Sequence, residues 1–273
     1  MRTLQTKSSL AGRGLCLAVG LATGLAGFGV VILREGTNAG TVAFACVFGA
    51  VMGIFVGRLF RANYSMQSEV RNVRDAARQA ESHYVDVLTR MVKVIESRDK
   101  HLDGRSARVG EIARKIGSEL GLCEERCQRL EIAGCLQDIG MVATPSDVLA
   151  ERHRLGTEKY SAIKTHCQVG YDVLLPLKSL ADVLPAIMHH HERMNGTGYP
   201  AGLRGDAIPL AARILAVADS FEAITHDRPH RAGLGVTAAM GELSRCSPEG
   251  YDPDCVEALS RVINTDKIEK IKA

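Results

Sequence analysis

The amino-acid sequence predicts an all-α protein of 273 residues. Two long uncharged apolar runs fill most of the first 60 residues. A helical stripe without Gly or Pro then continues from Ala62 to Asp103, and strand-like alternation is scarce beyond Arg98. Tryptophan is absent and aromatic residues make up 4% of the chain, which disfavours a β-sandwich.

Charge and cysteine content exclude two classes of protein. The net charge is +3, and the positive excess lies in residues 1–60, which carry five Lys or Arg and one acidic residue. No basic domain remains to bind a nucleic-acid backbone, so we expect no nucleic acid as a partner. The eight cysteines are scattered without a C-x-x-C pair. They are typical of small core residues in a reducing compartment rather than of a disulfide framework.

Residues 1–60 are predicted to form an N-terminal transmembrane hairpin. Its spans are about residues 14–33 and 36–57, and each is long enough to cross a hydrocarbon layer of about 30 Å as a helix. The connector between them is very short, so the helices should be antiparallel neighbours. Basic residues flank the hairpin at both ends: Lys7, Arg13, Arg58 and Arg61. The positive-inside rule then places both termini in the cytoplasm. A cleaved signal peptide at residues 1–30 is the alternative.

Residues 61–97 are predicted to form a coiled-coil signalling helix. Nine residues alternate at spacings of four and three: Met66, Val70, Val73, Ala77, Ala80, Tyr84, Val87, Met91 and Val94. This is an a/d pattern over four heptads, with charged residues between its members. It favours a parallel homodimer in which helix rotation or register carries a signal. A single amphipathic helix packed on its own domain is the alternative.

Residues 98–273 are predicted to form a helical domain that carries the chemistry. Helical periodicity covers residues 107–120, 127–138, 158–174, 180–191, 210–224 and 236–246. Histidines and aspartates recur on several of these helices: Asp138, His166, His189, His190, His191 and Asp219. Imidazoles and carboxylates from several helices suit a divalent metal site with open positions, which can activate water and clamp a phosphate. Three adjacent histidines on a helix cannot all face one point, so at most two of residues 189–191 should belong to it.

An ordered set of motifs resembles the HD-GYP domain family. The segments are His190-His191-Glu192-Arg193, Gly196-Thr197-Gly198-Tyr199-Pro200 and Gly202-Leu203-Arg204-Gly205, preceded by Gln137-Asp138-Ile139-Gly140-Met141 and followed by Asp252-Pro253. The resemblance covers about residues 98–263. It implies an all-helical HD-superfamily fold with a site for two or three metal ions, typically iron or manganese. It also implies hydrolysis of cyclic dinucleotides, chiefly cyclic di-GMP to pGpG or GMP, in bacterial second-messenger signalling. Together with the predicted hairpin, this leads us to expect a location at the bacterial inner (cytoplasmic) membrane.

The resemblance also assigns roles to individual residues. The retained metal ligands are Asp138, His166, His190, His191 and Asp219, with Asp138 bridging the metals and holding the nucleophilic water if the protein is active. Tyr199, Arg228 and Arg231 stand at substrate-binding positions. Four residues depart from the family pattern: Arg105 and Gln137 replace histidines, Met141 replaces a lysine and Asn195 replaces an aspartate.

These departures predict one retained metal site and one lost site. His166, His190 and His191 with Asp138 would hold one metal by the family roles. The second metal would need Arg105, and arginine has no lone pair to donate and carries a fixed positive charge. We expect Arg105 to occupy the vacated position and to pair with Asp138 or Asp219. His101, one helix turn earlier, is either a replacement ligand or an exposed loop histidine.

Three functional hypotheses follow. The first is a membrane-anchored HD-GYP-type signalling protein with impaired or lost phosphodiesterase activity, acting as a nucleotide-binding or protein-interaction relay. The second is an active metal-dependent cyclic di-GMP phosphodiesterase with a reduced metal site. The third is a dimeric scaffold that docks on diguanylate cyclases.

Overall fold

The computed structural model describes residues 39–97, 103–145, 148, 156–228 and 231–265. These residues form helices and loops without a β-strand, apart from an isolated bridge between Arg228 and Arg231. The predicted all-α fold is therefore confirmed. The chain divides into two compact units, residues 1–79 and residues 80–273, which are described separately.

The described residues form a succession of α-helices. In chain order they are α1 (Ala39–Glu96), α2 (Arg105–Glu119), α3 (Glu124–Leu136), α4 (Thr157–Lys164), α5 (His166–Leu174), α6 (Leu184–His189), α7 (Leu210–Thr225), α8 (Val236–Cys246) and α9 (Pro253–Asn264). Short 3-10 helices are formed by Ile139–Ala143, Lys178–Leu180 and Gly205–Ala207.

The described part of the first unit is the N-terminal part of α1. Large apolar side chains such as Phe44, Val47 and Phe48 are exposed on it. Within the described residues, the helix that begins in this segment is long and apolar enough to cross a membrane. The predicted first span, residues 14–33, lies outside the described residues, as does the start of the second. The two-helix hairpin therefore stays a prediction.

The last turns of α1 belong to the second unit and have two different faces. Val85, Leu88 and Val92 pack against the core of this unit. Tyr84 and Met91, from the predicted a/d stripe, remain exposed. The helix is thus packed on its own domain along one face, while the stripe stays available on another. Because the structure contains one chain, the predicted coiled coil of two chains stays a prediction.

The core of the second unit is centred on α7, which α2, α3, α6 and α8 surround. Most of α7 is buried, including Ile214, Leu215 and Phe221. Helices α2 and α3 cross at two glycines, because a Cβ atom on Gly134 would lie 2.6 Å from the Cα atom of Gly110. This close approach brings the end of α3, where the site begins, against α7.

Two predicted helices differ most from the observed ones. The predicted helix over residues 158–174 is divided, since α4 ends at Lys164 and α5 begins at His166. The hydroxyl of Thr165, at the junction, donates a hydrogen bond of 2.7 Å to the carbonyl of Ala162. The predicted helix over residues 180–191 is reduced to α6, with Pro185 in its first turn. Both changes place site histidines at helix ends.

Candidate metal and nucleotide site

Four elements bring the predicted ligands together. Asp138 precedes the 3-10 helix Ile139–Ala143, His166 begins α5, His190 and His191 follow α6, and Asp219 lies in α7. Gly140 allows the first two elements to meet, because a Cβ atom there would lie only 2.0 Å from the carbonyl oxygen of His166. The backbone contact at Gly140 thus sets the distance between Asp138 and His166.

Two histidines are held in the same tautomer by backbone carbonyls. Nδ1 of His166 lies 2.6 Å from the carbonyl oxygen of Ile163, and Nδ1 of His190 lies 2.7 Å from that of Ile187. A carbonyl only accepts, so each Nδ1 carries the proton and each Nε2 presents a lone pair. The two Nε2 atoms lie 3.4 Å apart. Two lone pairs facing each other at this distance favour a cation between them.

Burial favours the neutral form of two histidines in this cluster. His166 and His190 are buried, and burial lowers the pKa of both His190 and His191. One ligand atom each from His166, His190, His191 and Cys167 lies within 4.8 Å of the other three. Neutral imidazoles are the form that binds a metal. This donor set fits one divalent metal ion.

Asp138 lies between the histidine cluster and Arg105. Its Oδ1 atom is 3.6 Å from Nε2 of His166 and 4.0 Å from Nε2 of His190. Its Oδ2 atom accepts a hydrogen bond from Arg105. Oδ1 of Asp138 therefore remains free to bind a metal ion at the histidines, whereas Oδ2 is occupied by the hydrogen bond from Arg105.

Arg105 holds three carboxylates at the position predicted for the second metal. Its two terminal nitrogens donate to Asp138 and Asp219, and its Nε atom lies 3.4 Å from Oε2 of Glu222. Burial alone would lower the pKa of Arg105, but Asp219 and Asp138 outweigh it and raise that pKa. Arg105 in turn lowers the pKa of both aspartates against the effect of their burial. The expected pairing of Arg105 occurs with both aspartates.

Gln137 completes the replacement of a metal by protein donors. Its side chain is fully buried, and its amide nitrogen donates to Oδ1 of Asp219 at 3.0 Å. Asp219 thus accepts hydrogen bonds from Gln137 and Arg105 on the same oxygen. The chemistry of these residues does not fit a second metal, because a guanidinium and an amide N–H point where ligand lone pairs would be needed.

The predicted substrate-binding residues lie around this centre to different degrees. The Tyr199 ring packs on His191 with centroids 4.7 Å apart, and burial raises the pKa of its phenol. Arg228 is half-buried, and its pKa is lowered by burial and by the neighbouring Arg105. Arg231 is exposed and donates to the carbonyl of Ala223 at 2.6 Å. Tyr199 therefore contacts the histidine cluster and Arg228 interacts with Arg105, whereas Arg231 bonds to the backbone of α7.

The other departures from the family pattern lie outside the ion-pair network. Asn195 is exposed, and its Oδ1 atom accepts from the backbone and hydroxyl of Thr197 at 3.0 and 2.7 Å, which closes a turn. Met141 lies in the 3-10 helix, where its sulfur is 3.8 Å from the hydroxyl of Thr144. His101 lies outside the described residues.

A buried carboxylate anchors the loop that carries Tyr199. Glu192 accepts hydrogen bonds from the backbone N–H groups of Ala201, Gly202 and Leu203 at 2.7 to 3.1 Å. Nδ1 of His189 lies 3.6 Å from the same carboxylate. His189 is thereby directed away from the cluster formed by His190 and His191, in agreement with the limit of two histidines.

Sequence reasoning gave no site role to Glu222, Arg108 or Cys167. Glu222 is three residues from Asp219 on α7 and accepts from Nη2 of Arg108 at 2.7 Å, so i, i+3 spacing was the available signal. Cys167 directly follows His166, but adjacency in sequence does not place two side chains at one point. Its membership of the cluster depends on the start of α5 and is visible only in the structure.

An all-helical core that gathers histidines and aspartates from four elements defines an HD-type fold. The HD domain family model matches residues 90–255, and the chain belongs to this family. The cyclic di-GMP phosphodiesterase response regulator RpfG of Xanthomonas campestris is 36% identical over 185 residues, which are 67% of this chain and 49% of that protein. A cyclic di-GMP phosphodiesterase of Thermotoga maritima is 30% identical over 215 residues, which are 76% of this chain and 58% of that protein. The chain spans about half the length of these curated relatives.

Solved structures agree on the fold. A cyclic GMP-AMP-specific phosphodiesterase of Vibrio cholerae matches with a TM-score of 0.55 and 22% identity, over 67% of this chain and 49% of that one. The HDG"Y"P protein Bd1817 of Bdellovibrio bacteriovorus matches with a TM-score of 0.52 and 18% identity, over 88% of this chain and 78% of that one. The resemblance to HD-GYP proteins is confirmed.

Proposed function

We propose that this protein is a membrane-anchored HD-GYP-type signalling protein that binds a cyclic dinucleotide at a one-metal site and has impaired or lost phosphodiesterase activity. The observation that supports this function most strongly is Arg105, which pairs with Asp138 and Asp219 where a second metal would otherwise bind. The relatives, named as phosphodiesterases of cyclic di-GMP and of 3'3'-cGAMP, support the ligand class.

The three histidines and Asp138, which the chain retains from the family pattern, suit ligand binding. His166, His190 and His191, with the free oxygen of Asp138, would hold the metal, for which iron or manganese is the expectation from the family. When bound, this ion supplies a positive charge and a Lewis acid for a phosphate oxygen. Arg228 and the Arg105 guanidinium add fixed positive charge beside it. Tyr199, packed on His191, offers a ring against which part of a nucleotide can lie.

Arg105 and Gln137, which replace the ligands of the second metal, account for the proposed loss of turnover. Arginine stays protonated and cannot hold or deprotonate the attacking water, and Gln137 donates to Asp219 instead of ligating a metal. In-line displacement at phosphorus therefore lacks the two-ion arrangement that stabilises both attacking and leaving oxygens. Binding without turnover is the outcome that these residues favour.

The membrane anchor and the dimer belong to the same proposal. The apolar start of α1 supports anchoring, and the exposed stripe farther along α1 supports a homodimer. A dimer on a membrane can pass a change of helix register or rotation to the domain that follows. In this arrangement a diguanylate cyclase or another signalling protein would read the nucleotide-bound state.

Titration calorimetry and a turnover assay on the full chain in detergent test the proposal. We expect the wild type, loaded with Mn²⁺, to bind cyclic di-GMP or 3'3'-cGAMP and to release no pGpG, linear dinucleotide or GMP. The double variant Arg105→His, Gln137→His should gain turnover, and the control Arg245→His should not. Metal-dependent turnover by the wild type that His190→Ala abolishes would contradict the proposal and establish an active phosphodiesterase. Absence of nucleotide binding would contradict it in favour of a scaffold.

A further inference from the structure

Cys167 lies among the three histidines of the proposed metal site. Its Sγ atom is 3.5 Å from Nε2 of His166. It lies within 4.8 Å of the ligand atoms of His190 and His191. The residue is fully buried at the start of α5. A sulfur donor and three imidazole nitrogens therefore converge at one buried point.

The surroundings of Cys167 differ from those of other buried cysteines. Of the cysteines in the described part of the chain, Cys167 belongs to a cluster of metal-ligating groups, whereas Cys127 and Cys255 do not. Cys127 points its sulfur at a backbone carbonyl, that of Leu122, at 3.5 Å. The nitrogen that faces Cys167 carries a lone pair, because the carbonyl of Ile163 holds the other ring nitrogen as the donor.

The competing oxygen ligand is weakened by Arg105. One oxygen of Asp138 is bound by Arg105, whose positive charge also reduces the attraction of that carboxylate for a cation. Asp138 is absent from the set of mutually close ligand atoms found in the described residues, and Cys167 is present in it. Oδ1 of Asp138 still lies 3.6 and 4.0 Å from Nε2 of His166 and His190, so the sulfur of Cys167 adds a donor beside this weakened carboxylate.

We propose that Cys167 is a thiolate ligand and that, together with His166, His190 and His191, it makes the metal site of this protein selective for zinc. The inference rests on the proposed function and specifies its metal. Three imidazoles and one thiolate form a borderline-soft donor set that suits Zn²⁺ better than Mn²⁺ or Fe²⁺. On binding, the thiol proton passes to solvent and the sulfur–metal bond forms.

Cobalt substitution tests this inference on the full chain in detergent. Co²⁺ is the probe, because a cobalt–thiolate bond gives a near-ultraviolet charge-transfer band that imidazole ligands do not give. We expect the band in the wild type, its loss in Cys167→Ser, and its retention in the matched control Cys255→Ser. Displacement of Co²⁺ should show that Cys167→Ser lowers the affinity for Zn²⁺ by at least about tenfold, while the affinity for Mn²⁺ changes less.

The outcomes separate this inference from the proposed function. If the wild type binds Co²⁺ without the band, or Cys167→Ser keeps it, Cys167 is not a ligand while the metal site stands. If neither protein binds Co²⁺, Zn²⁺ or Mn²⁺, the metal site itself is wrong. Circular dichroism spectra and the variant Cys167→Ala identify a loss of fold, since Cys167→Ala should stay folded and also lack the band.

Discussion

At the scale of single residues, the guanidinium of Arg105 occupies the position predicted for a second divalent metal ion. It supplies a single positive charge that is part of the chain. It meets Asp138, Asp219 and Glu222 in a largely buried position, with Arg108 as a second partner of Glu222. Buried carboxylates are costly when unpaired, so this guanidinium has a structural as well as a functional consequence. In a two-metal site a metal ion bound from solution would neutralise these carboxylates, whereas here the side chain of Arg105 does so.

Replacing Arg105 by an apolar residue of similar length should therefore destabilise the protein. We expect Arg105→Met to lower the free energy of unfolding by about 3–5 kcal/mol, because three buried carboxylates lose their shared partner. Urea unfolding of the full chain in detergent, followed by circular dichroism, measures this change.

The control for Arg105→Met is Arg245→Met, whose partner Glu242 is on the surface. This exposed pair should contribute little to stability, because solvent screens it. Added Mn²⁺ should restore part of the stability of Arg105→Met and none of that of Arg245→Met. Equal losses in the two variants would refute the network described for Arg105.

Glu192 controls the loop of Tyr199 through backbone hydrogen bonds. Glu192→Gln should destabilise the protein by about 2 kcal/mol, since an amide replaces one of the two oxygens that receive three N–H groups. Hydrogen exchange at the amides of Ala201, Gly202 and Leu203 should become faster. Glu249→Gln, an exposed site, is the matched control and should leave exchange unchanged. Unchanged protection in Glu192→Gln would show that the carboxylate does not hold the loop.

At the scale of elements, the site depends on how closely α5 approaches the 3-10 helix Ile139–Ala143. Gly140 faces the carbonyl oxygen of His166 and the backbone nitrogen of Gly170, and a Cβ atom would meet them at 2.0 and 2.6 Å. Both neighbours are backbone atoms, which cannot move without shifting the helix. The separation of Asp138 and His166 is thus fixed by a glycine.

Gly140→Ala should move α5 away and weaken the metal site. We expect a loss of about 1–3 kcal/mol in unfolding free energy, together with weaker Zn²⁺ binding in competition titrations with a chelator. Gly241→Ala is the control, because its position in α8 is open and alanine should stabilise that helix by about 0.5–1 kcal/mol. Zn²⁺ affinity equal to that of the wild type in Gly140→Ala would contradict this role of the close approach.

Much of the fold follows from local sequence patterns, and the exceptions have physical causes. Helical periodicity indicates α7 and α8 closely, with ends at Thr225 and Cys246. It does not reveal the break at Thr165, because that junction has neither Gly nor Pro. Helix α9 was not predicted, although its N-cap Asp252 accepts from the backbone of Asp254 at 2.8 Å, an ordinary capping signal.

The candidate site was predictable to the extent that motifs name its residues. The pairing of Arg105 with Asp138 or Asp219 was predictable because the family resemblance placed Arg105 beside these carboxylates, where a buried cation is expected to pair. The partnership with Glu222 and the position of Cys167 depend on how α5 and α7 are oriented. No local pattern encodes those orientations, which arise from packing of the whole core.

At the scale of the whole molecule, the long helix α1 combines an apolar start with an exposed a/d stripe. Val73 lies in this stripe and is 64% exposed, and the neighbouring Met66 and Val70 are exposed as well, so the stripe presents apolar surface over successive positions. A second copy of the same helix is the partner that a heptad pattern fits best. The proposed dimer would cover this surface.

Val73→Glu should weaken dimerisation, because two like charges would face each other across the stripe. We expect the dimer dissociation constant to rise at least about tenfold, equal to about 1.4 kcal/mol. Analytical ultracentrifugation of the full chain in detergent measures it. Asn72→Glu adds the same charge at an exposed c position, away from the a/d stripe, and should have little effect. A monomeric wild type, or equal effects of both variants, would contradict the coiled-coil prediction.

The central claim, one metal site with a guanidinium in place of the second, is tested most directly by counting metal. The full chain, purified anaerobically in detergent, should contain one metal ion per chain by elemental analysis and should not hydrolyse cyclic di-GMP in the same sample. The variant Arg105→His, Gln137→His should bind two. Two or more ions per wild-type chain, with turnover, would contradict the account and identify an enzyme with unusual ligands.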